Sequence, residues 1–510
     1  MDTEQERDFP IPLLNRRTLL QGAGAMIAAA AAPSLSPLYA NAEPSSTPIS
    51  TTGKEIMEKL STYMGDAGDH PLPPHVEEVT KEHILDTIAA MISGVHLLPA
   101  QVALRFAHAY GGEKIATVVG SEMKIGPIEA ALANGMMAHS DETDDSHAPS
   151  QSHPGCGIVP AALAAAETYH ISGARFVRAV ALGYDIGTRV SMTLGGLAYQ
   201  YKTSRDTHQI TCNFGAAAAC GCAASLSAQQ MRWVLDYASQ QAAGISAWNR
   251  DTQHVEKSLA FAGFAARNGV TAAMLIKLGG TGVNNIFFGA NNFYDAFDPT
   301  ANREGLIKGL GVEYQVLNTQ IKKWSVGSPM QASLQALEMI QKAHPFTPSE
   351  LKSLTIRIDP DEAHIVNNRT MPDICMQYIM AIMVIDRKVT FQSSHDTARM
   401  KNPEVMAVRS KIQLIPDEAL QKLYPDRVAI VDVTLKNGKT YTQRVSAVLG
   451  SPQNPMTHAQ VAGKARDLMT PVLGATQTNK LIDAVYNVEK LQDITALSPL
   501  LQNKMSSTTA

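Results

Sequence analysis

Acidic and imidazole side chains are concentrated in one short stretch, "AHSDETDDSHAPSQSHPG", at residues 138–155. It places four carboxylates, between Asp141 and Asp145, next to His139, His147 and His153. Imidazoles and carboxylates exchange protons and also bind metal ions. A run of this composition is equally typical of a solvated loop. Three interpretations are therefore open: a polar loop, a metal site or an acid/base site.

The metal interpretation requires ligands that converge on one ion. His139, Asp144 and His153 are the candidates, but their spacing matches no standard zinc pattern, and we predict no metal site. The stretch lies between two helical patterns, and connections of this kind often carry catalytic groups. Alternatively, its Asp and Ser residues cap the second helix.

A histidine stands at the start of a second predicted helix. In "RDTHQITCNFGAAAACG", Thr207 is the predicted N-cap, which places His208 in the first turn, where the helix dipole disfavours imidazolium. A histidine that stays neutral near pH 7 can accept a proton as a general base. An ordinary surface histidine at a helix end fits the same spacing.

A lysine opens a third helix, in "DTQHVEKSLAFAGFAARNG". An ammonium group is unfavourable at a helix N-terminus, so Lys257 should face an anion. That anion could be Asp206, Glu256 or the carboxylate of a substrate. Arg267, about three turns further along, is a weaker candidate for the same role.

Apolar residues spaced three and four apart predict helices that position these groups. We predict a mainly α protein with a large all-helical domain, formed by residues 50–319 and 451–505, and an inserted, smaller α+β lid domain, residues 320–450. In the lid, strands are predicted at 351–359 and 411–416, together with a hairpin that turns at Asn437-Gly438. A ligand site is expected in the cleft between the domains.

The first 42 residues have the layout of an export signal. Arg16 and Arg17 precede an apolar, Ala-rich stretch, and "ANA" at 40–42 has the form of a cleavage site. The paired arginines predict a twin-arginine signal peptide over residues 1–42 and a periplasmic enzyme that starts near Glu43. The alternative is a membrane anchor, but the apolar stretch is short for a bilayer. We expect no membrane association after cleavage.

Composition excludes some partners. The formal net charge is -4 and no basic stripe is visible, so nucleic acid is not an expected partner. The five cysteines form an odd set without metal-type spacing, which indicates buried core thiols rather than a disulfide framework.

Six segments, in order, resemble the signature of the MmgE/PrpD family. They are "AHSDETDDSH…SHPGCGIVPAALAAAE", "LGYDIGTRV", "THQITCNFGAAAA", "KSLAFAGFAARNGVTAAMLIKLGGTG", "IKKWSVGSPMQASLQALE" and "NNRTMPDICMQYIMAIMVIDRKVTF". The resemblance covers the chain after about residue 54. It implies a helical domain with an α+β lid, a homodimer, and a cofactor-independent site between the domains that binds di- and tricarboxylates.

The resemblance also implies that Glu142, Ser146, His153, His208 and Lys257 line this site. His208 or His153 would be the base or the acid, Lys257 would bind a substrate carboxylate, and Ser146 would donate a hydrogen bond. We hypothesise that burial and neighbouring carboxylates keep Glu142 protonated, so that it can act as an acid.

Asp144 and Asp145 are expected to support the site by orienting histidines or capping the next helix, and Arg267 to assist in substrate binding. The sequence departs from the family pattern at Ser325, where a proline is usual, and at Gln331, where a histidine is common. Because these changes lie in the lid, which shapes substrate choice, the particular acid stays open.

We therefore expect a carbon–oxygen lyase, like 2-methylcitrate dehydratase, or else a decarboxylase. An epimerase that removes and returns one α-proton is the alternative within enzymes. A non-catalytic periplasmic carboxylate-binding protein is less favoured, because His153, His208 and Lys257 are all retained. A metal hydrolase is the least favoured.

Overall fold

Helices account for most of the chain, which confirms the predicted mainly α fold. The computed structural model describes residues 51–503, and the predicted signal peptide, residues 1–42, lies outside the described residues. The α-helices are α1 (Thr51–Asp66), α2 (Pro74–Ser93), α3 (Leu98–Tyr110), α4 (Pro127–Ala138), α5 (Pro154–Tyr169), α6 (Gly173–Leu194), α7 (Gly196–Thr203), α8 (Thr207–Ala223), α9 (Ala228–Gln240), α10 (Val255–Ser258), α11 (Phe264–Lys277), α12 (Phe293–Phe297), α13 (Gln331–Ala343), α14 (Pro360–Val366), α15 (Met376–Asp386), α16 (Phe391–His395), α17 (Pro403–Arg409), α18 (Glu418–Gln421), α19 (His458–Tyr486) and α20 (Ser498–Leu501). The β-strands are β1 (Ala116–Thr117), β2 (Lys124–Ile125), β3 (Leu351–Ile358), β4 (Ile412–Pro416), β5 (Ala429–Leu435) and β6 (Thr440–Val445).

Small residues let the helices before residue 320 approach one another closely. α8 is buried along its whole length and packs against α5, α6 and α11. Where α6 meets α8, a Cβ atom on Gly187 would lie 2.2 Å from the carbonyl oxygen of Thr211. A larger residue at this position would force α6 and α8 apart. Small residues such as Ala and Gly are therefore needed where these helices cross.

Residues 51–319 are not entirely helical. β1 and β2 pair antiparallel, with Ala116 opposite Ile125. The buried carboxylate of Glu167 accepts hydrogen bonds of 2.6 Å from both the backbone nitrogen and the hydroxyl of Thr117, which fixes the pair against α5. The prediction of an all-helical domain is wrong in this detail, because two-residue strands leave no alternating pattern to detect.

Residues 320–450 contain a four-stranded sheet of order β4-β3-β5-β6. β3 is parallel to β4 and antiparallel to β5, and β5 and β6 form the predicted hairpin, with Gly438 at φ +88° in its turn. The side chains of β5 alternate between buried and half-buried, and α13 and α15 pack against the sheet. The strands predicted at 351–359 and 411–416 are thus confirmed.

After the sheet the chain returns to the first set of helices. α19 packs along α2, and its Val461, Leu468 and Leu481 join the apolar core formed by the early helices. We call residues 51–319 and 458–501 the helical region and residues 320–450 the α+β region. Whether the α+β region acts as a lid stays a prediction.

Among the described residues, one helical stretch, 255–277, is long and apolar enough to cross a membrane by composition alone, and α2 with α3 passes the same test as a bent pair. In the 18-residue window of this stretch that meets the criterion, 61% of the residues are buried inside the protein, as they are in the core helix of a folded domain. This stretch carries Lys257 and forms part of the site described next.

Candidate active site

The acid-rich stretch connects α4 to α5 and is buried. Residues 139–147 are each at most 3% exposed, so the interpretation as a solvated loop is wrong. Ionised side chains are costly to bury without partners. Each acid in the connection therefore needs a hydrogen bond or an opposite charge, and these partners define the site.

Asp145 supports the start of α5. Its Oδ1 accepts a 3.0 Å hydrogen bond from the backbone nitrogen of Gly155. Its Oδ2 accepts a hydrogen bond from the Tyr184 hydroxyl and lies 2.8 Å from Nδ1 of His83. Asp145 thus both caps a helix and orients a histidine, on α2, that the sequence did not single out.

Asp144 lies among two histidines and a lysine. Its Oδ2 is 2.9 Å from Nδ1 of His139, and its Oδ1 is 3.4 Å from Nδ1 of His153 and 3.6 Å from Nζ of Lys322. Burial acts to raise the pKa of Asp144, but His139, His153 and Lys322 outweigh it and lower the pKa well below its usual value. The ionised carboxylate of Asp144 thereby orients the His153 ring through its Nδ1 atom.

Glu142 is the point at which three basic side chains converge. Its Oε1 accepts a hydrogen bond from Nζ of Lys257 and lies 3.2 Å from Nε2 of His254, and its Oε2 lies 3.6 Å from Nζ of Lys322. Burial acts to raise the pKa of Glu142, but Lys257, then Lys322, then His254 lower it well below its usual value. The hypothesis of a protonated Glu142 that acts as an acid is therefore wrong.

Lys257 is placed by the first turn of α10. Its backbone nitrogen donates a 3.0 Å hydrogen bond to Oδ2 of Asp251. Of the anions considered for its side chain, neither Asp206 nor Glu256 is the partner; the ammonium group contacts Glu142 instead. It lies beside the cavity, where a substrate carboxylate could also reach it.

Asp206, not Thr207, is the N-cap of α8. Its Oδ1 accepts a 2.9 Å hydrogen bond from the backbone nitrogen of His208 and lies 3.1 Å from Nδ1 of the same residue. Burial lowers the pKa of His208 to about 4, although Asp206 acts to raise it. The ring stacks on Phe261 at 3.8 Å and meets the edge of Trp248. His208 is thus neutral near pH 7, with Nδ1 donating to Asp206 and Nε2 free to accept a proton.

Ser146 joins the two regions at the edge of the site. Its Oγ accepts a 2.9 Å hydrogen bond from Nη1 of Arg427, whose Nε donates to Glu362. The hydroxyl proton of Ser146 is therefore still available to a ligand. Ser146 and Arg427 also line a neighbouring cavity, so that their hydrogen bond separates the two spaces.

These side chains surround one cavity with about 750 Å³ of empty space that opens to solvent. The helical region contributes His153 and His208, whose rings stack 5.3 Å apart at 20° and therefore lie on one wall. The other wall comes from the α+β region. The residues that line it include Gly327, Ser328, Pro329, Glu362, Val366, Arg369, Met371 and Arg427.

Arg267 does not line this cavity. A π-helical turn, Leu259–Gly263, lies between Lys257 and Arg267 and takes up an extra residue. The two side chains are therefore separated by about two and a half turns and lie on opposite faces of the helix. Arg267 instead contacts the ring of Phe264, and its predicted role in substrate binding is wrong.

Comparison with known proteins identifies the family. The MmgE/PrpD N-terminal domain matches residues 58–304, and the MmgE/PrpD C-terminal domain matches residues 324–490. The chain belongs to the MmgE/PrpD family. It is 27% identical to the cis-aconitate decarboxylase of Homo sapiens over 477 residues, which are 88% of this chain and 95% of that protein. It is 24% identical to the cis-aconitate decarboxylase of Aspergillus terreus over 490 residues, 89% of this chain and 97% of that protein. These relatives support a lyase of the dehydratase or decarboxylase type.

Lys322, His254 and Arg427 are among the residues of this MmgE/PrpD site that the sequence did not single out. Lys322 is fully buried, and its Nζ also donates a 2.9 Å hydrogen bond to the carbonyl oxygen of Glu142. Its neighbour Lys323 pairs with Glu338 near the surface. No sequence signal separates the two lysines, although both lie in the family block "IKKWSVGSPMQ".

The two departures from the MmgE/PrpD pattern lie behind the cavity rather than in it. Gln331 is buried, and its Nε2 donates 2.9 Å hydrogen bonds to the carbonyl oxygens of Trp324 and Val326. It thereby holds the bend that contains Ser325 and leads to Gly327 on the cavity wall. Gln331 shapes the cavity through the backbone and does not contact its interior.

His139 belongs to two groups of side chains that are spaced closely enough to hold a metal ion, one with Asp144 and Cys156 and one with Glu142 and His254. The carboxylates of both groups lie 3.6 Å from the same buried ammonium group, which would repel a divalent cation. Burial also raises the pKa of the Cys156 thiol, which disfavours the thiolate that binds metals. The donor set fits proton transfer better than metal binding.

Proposed function

We propose that the protein is a lyase that acts without a cofactor on a di- or tricarboxylic acid and removes carbon dioxide or water next to a carboxylate. The observation that carries the proposal is that His208, oriented by Asp206, lines the same cavity as the ammonium group of Lys257, with Lys322 behind Glu142. The names of the relatives favour decarboxylation. Dehydration of the 2-methylcitrate dehydratase type is the second possibility within the same class.

The cavity offers the groups that anchor such an acid. A substrate carboxylate would bind at Lys257, in competition with Glu142, and would accept a hydrogen bond from the hydroxyl of Ser146. The positive charge of Lys322, behind Glu142, would remain and would stabilise negative charge that develops on the substrate. These groups hold the reacting end of the acid at the bottom of the cavity.

Both reactions need a proton carrier beside the reacting carbon. In decarboxylation the bond to the carboxyl carbon breaks, its electron pair stays on the adjacent carbon, and that carbon takes up a proton. In dehydration the carbon loses a proton and the departing hydroxide gains one. In dehydration, we assign removal of the proton from carbon to Nε2 of His208 and protonation of the departing hydroxide to His153. In decarboxylation, Nε2 of His208 first takes up a proton, from His153 or solvent, and passes it to the carbon.

The arrangement favours a lyase over an epimerase. Inversion of one carbon by two bases requires them on opposite faces of the substrate, whereas His153 and His208 stack on one wall. A non-catalytic binding protein would not need a histidine that burial keeps neutral and a carboxylate orients. Both alternatives stay open to the test below.

A panel of hydroxylated and unsaturated di- and tricarboxylates, followed by NMR in D₂O, tests the proposal. Loss of carbon dioxide with a solvent deuteron at the product carbon, or loss of water to give an unsaturated acid, supports it, provided that the activity survives dialysis against a chelator. His208→Ala should abolish the reaction while the far-UV spectrum is retained. Deuterium exchange without net loss of carbon dioxide or water would identify an epimerase, and binding without any reaction would identify a carrier.

We further propose that the enzyme is exported to the periplasm by the twin-arginine route and acts as a homodimer. The paired Arg16 and Arg17 of the predicted signal peptide support export. Replacing both with lysine should leave the protein in the cytoplasmic fraction, and an unchanged periplasmic signal would exclude this route. Light scattering of the mature chain, with a mass of two copies expected, tests the dimer.

A further inference from the structure

The basic residues of the cavity wall differ in whether an acid already neutralises them. The ammonium group of Lys257 contacts Glu142, and the guanidinium group of Arg427 contacts Glu362. Arg369 is also on the wall. Within residues 51–503, no carboxylate oxygen lies within 4.0 Å of its guanidinium group, so its charge is free to pair with an anion in the cavity.

Among the described residues, only backbone carbonyl groups hold the guanidinium group of Arg369. Its Nη1 donates a 3.2 Å hydrogen bond to the carbonyl oxygen of Ile365, one turn earlier on α14. Its Nη2 donates a 3.0 Å hydrogen bond to the carbonyl oxygen of Asn249, which belongs to the helical region. Arg369 therefore reaches from one wall of the cavity to the other.

This contact lies at the mouth of the cavity. Asn249 is exposed, whereas the preceding residue, Trp248, is buried with its ring 5.6 Å from Nζ of Lys257. Lys257 thus approaches Trp248 from the interior of the cavity. Arg369 contacts the next residue, Asn249, from the rim. An acid with its reacting end at Lys257 would extend toward Arg369.

We propose that Arg369 binds a second, non-reacting carboxylate of the substrate at the mouth of the cavity, and so selects acids with at least two carboxylates. The inference rests on the proposed function in placing the reacting end at Lys257. On binding, the guanidinium group exchanges a carbonyl acceptor for a carboxylate. Hydrogen bonds between two charged groups are stronger than those to a neutral carbonyl, and the planar fork of arginine matches both carboxylate oxygens.

Binding of unreactive acids tests the inference without relying on turnover. The probes are propane-1,2,3-tricarboxylate, pentanedioate, which lacks its central carboxylate, and butanoate, which has a single carboxylate. We expect the Kd of the tricarboxylate, measured by calorimetry on the mature chain, to be about tenfold higher for Arg369→Met than for the unmodified protein. The Kd of butanoate should be unchanged, and Arg369→Lys should fall between the two.

Arg409→Met is the matched control. Arg409 is another arginine of the α+β region, and its Nη2 donates a 3.2 Å hydrogen bond to Asn368, the residue before Arg369, but it does not line the cavity. This variant should bind all three probes as the unmodified protein does. An unchanged Kd for the tricarboxylate in Arg369→Met would overturn the inference, as would an equal loss for all three probes.

Kinetics separate this inference from the proposed function. With any acid that the enzyme converts, Arg369→Met should raise KM about tenfold and leave kcat within about twofold, because the reacting end is held elsewhere. A fall in kcat at unchanged KM would contradict the role of Arg369 while the lyase proposal stands. If no acid is converted but tricarboxylate binding still depends on Arg369, the lyase proposal fails and the inference holds.

Discussion

Burial disfavours the ionised forms of both Glu142 and His208, and the opposing charges around each decide which of the two stays ionised. Glu142 has two ammonium groups and a histidine around it, and these overcome burial. His208 has one carboxylate, Asp206, which does not overcome it. An ionised acid and a neutral base therefore coexist in one water-poor cluster, as proton transfer at neutral pH requires.

The first prediction concerns the pH profile of His208. Because Asp206 raises the pKa of His208, Asp206→Asn should lower this pKa further below about 4. His208 accepts a proton only when neutral, so activity is lost as pH falls through this pKa, and the acid limb of kcat/KM should move to lower pH. We also expect kcat to fall about tenfold to a hundredfold, because the ring loses its oriented tautomer.

Asn is as good an N-cap as Asp, so the melting temperature of Asp206→Asn should stay close to that of the unmodified protein. The pH–rate profile and the melting curve together check the prediction. An acid limb that moves to higher pH would contradict the assignment of His208 as the base.

The second prediction separates two adjacent lysines. Lys322→Met leaves Glu142 and Asp144 without an ammonium group at 3.6 Å, and we expect a loss of about 3–5 kcal/mol in the free energy of unfolding. Lys323→Met removes the pair with Glu338 near the surface and the contact of Nζ with the Trp324 ring, and should cost about 1 kcal/mol. Urea denaturation measures both, and similar losses would contradict the structural role of Lys322.

His153, His208 and Lys257 were singled out where residue type and family pattern agree, and the structure places all three around one cavity. Their partners were not singled out. Lys322 lies 180 residues after Glu142 in the sequence, and only the fold brings the two into contact. The hypothesis about the protonation of Glu142 failed for this reason, since its pKa depends on charges that no local pattern reveals.

At the scale of the elements, the π-helical turn Leu259–Gly263 sets the position of Phe261 beneath the His208 ring. α4 packs against this turn so closely that a Cβ on Gly135 would lie 2.9 Å from the backbone of Ala262. Gly135→Ala should therefore lower stability by about 1–3 kcal/mol, despite the better helix propensity of alanine, and should reduce kcat by displacing Phe261.

Gly463→Ala, in α19, is the control for this third prediction, because no atom of the described residues lies within 4 Å of the Cβ it would add. It should raise stability by about 0.5–1 kcal/mol through helix propensity alone. Thermal unfolding and kcat measure both variants. Stabilisation by Gly135→Ala would show that the contact between α4 and the turn does not constrain the site.

Long, periodic elements were predictable and short or irregular ones were not. The hairpin at Asn437-Gly438 carries a strong local signal, as does the start of α6, where Ser172 is the N-cap. The π-helical turn and the β1–β2 pair depend on tertiary contacts and have no such signal. The π-helical turn, which the sequence did not reveal, also places Arg267 on the helix face opposite Lys257.

For the whole molecule, the site exists only where the two regions meet. Ser146 and Gln320 form an antiparallel bridge, with hydrogen bonds of 2.9 and 2.8 Å, at the point where the chain passes from the helical to the α+β region. His395 of α16 makes a second connection: its Nε2 lies 3.0 Å from Oδ2 of Asp141 in the acid-rich stretch. If His395 is protonated in the folded protein, this ion pair makes docking of the α+β region depend on pH.

The last prediction follows from this contact. Burial acts to lower the pKa of His395, but Asp141 outweighs it and raises the pKa to about 9. Because the folded-state pKa is above the ordinary value near 6.5, the ion pair stabilises the protein fully below about pH 6.5, and this contribution is lost as pH rises through about 9. The shift corresponds to about 3 kcal/mol. The difference in unfolding free energy between the unmodified protein and His395→Gln should therefore shrink by this order between pH 6 and pH 10. A difference that is constant over this range would mean that His395 is neutral in the folded protein and that the two regions are held together by other contacts.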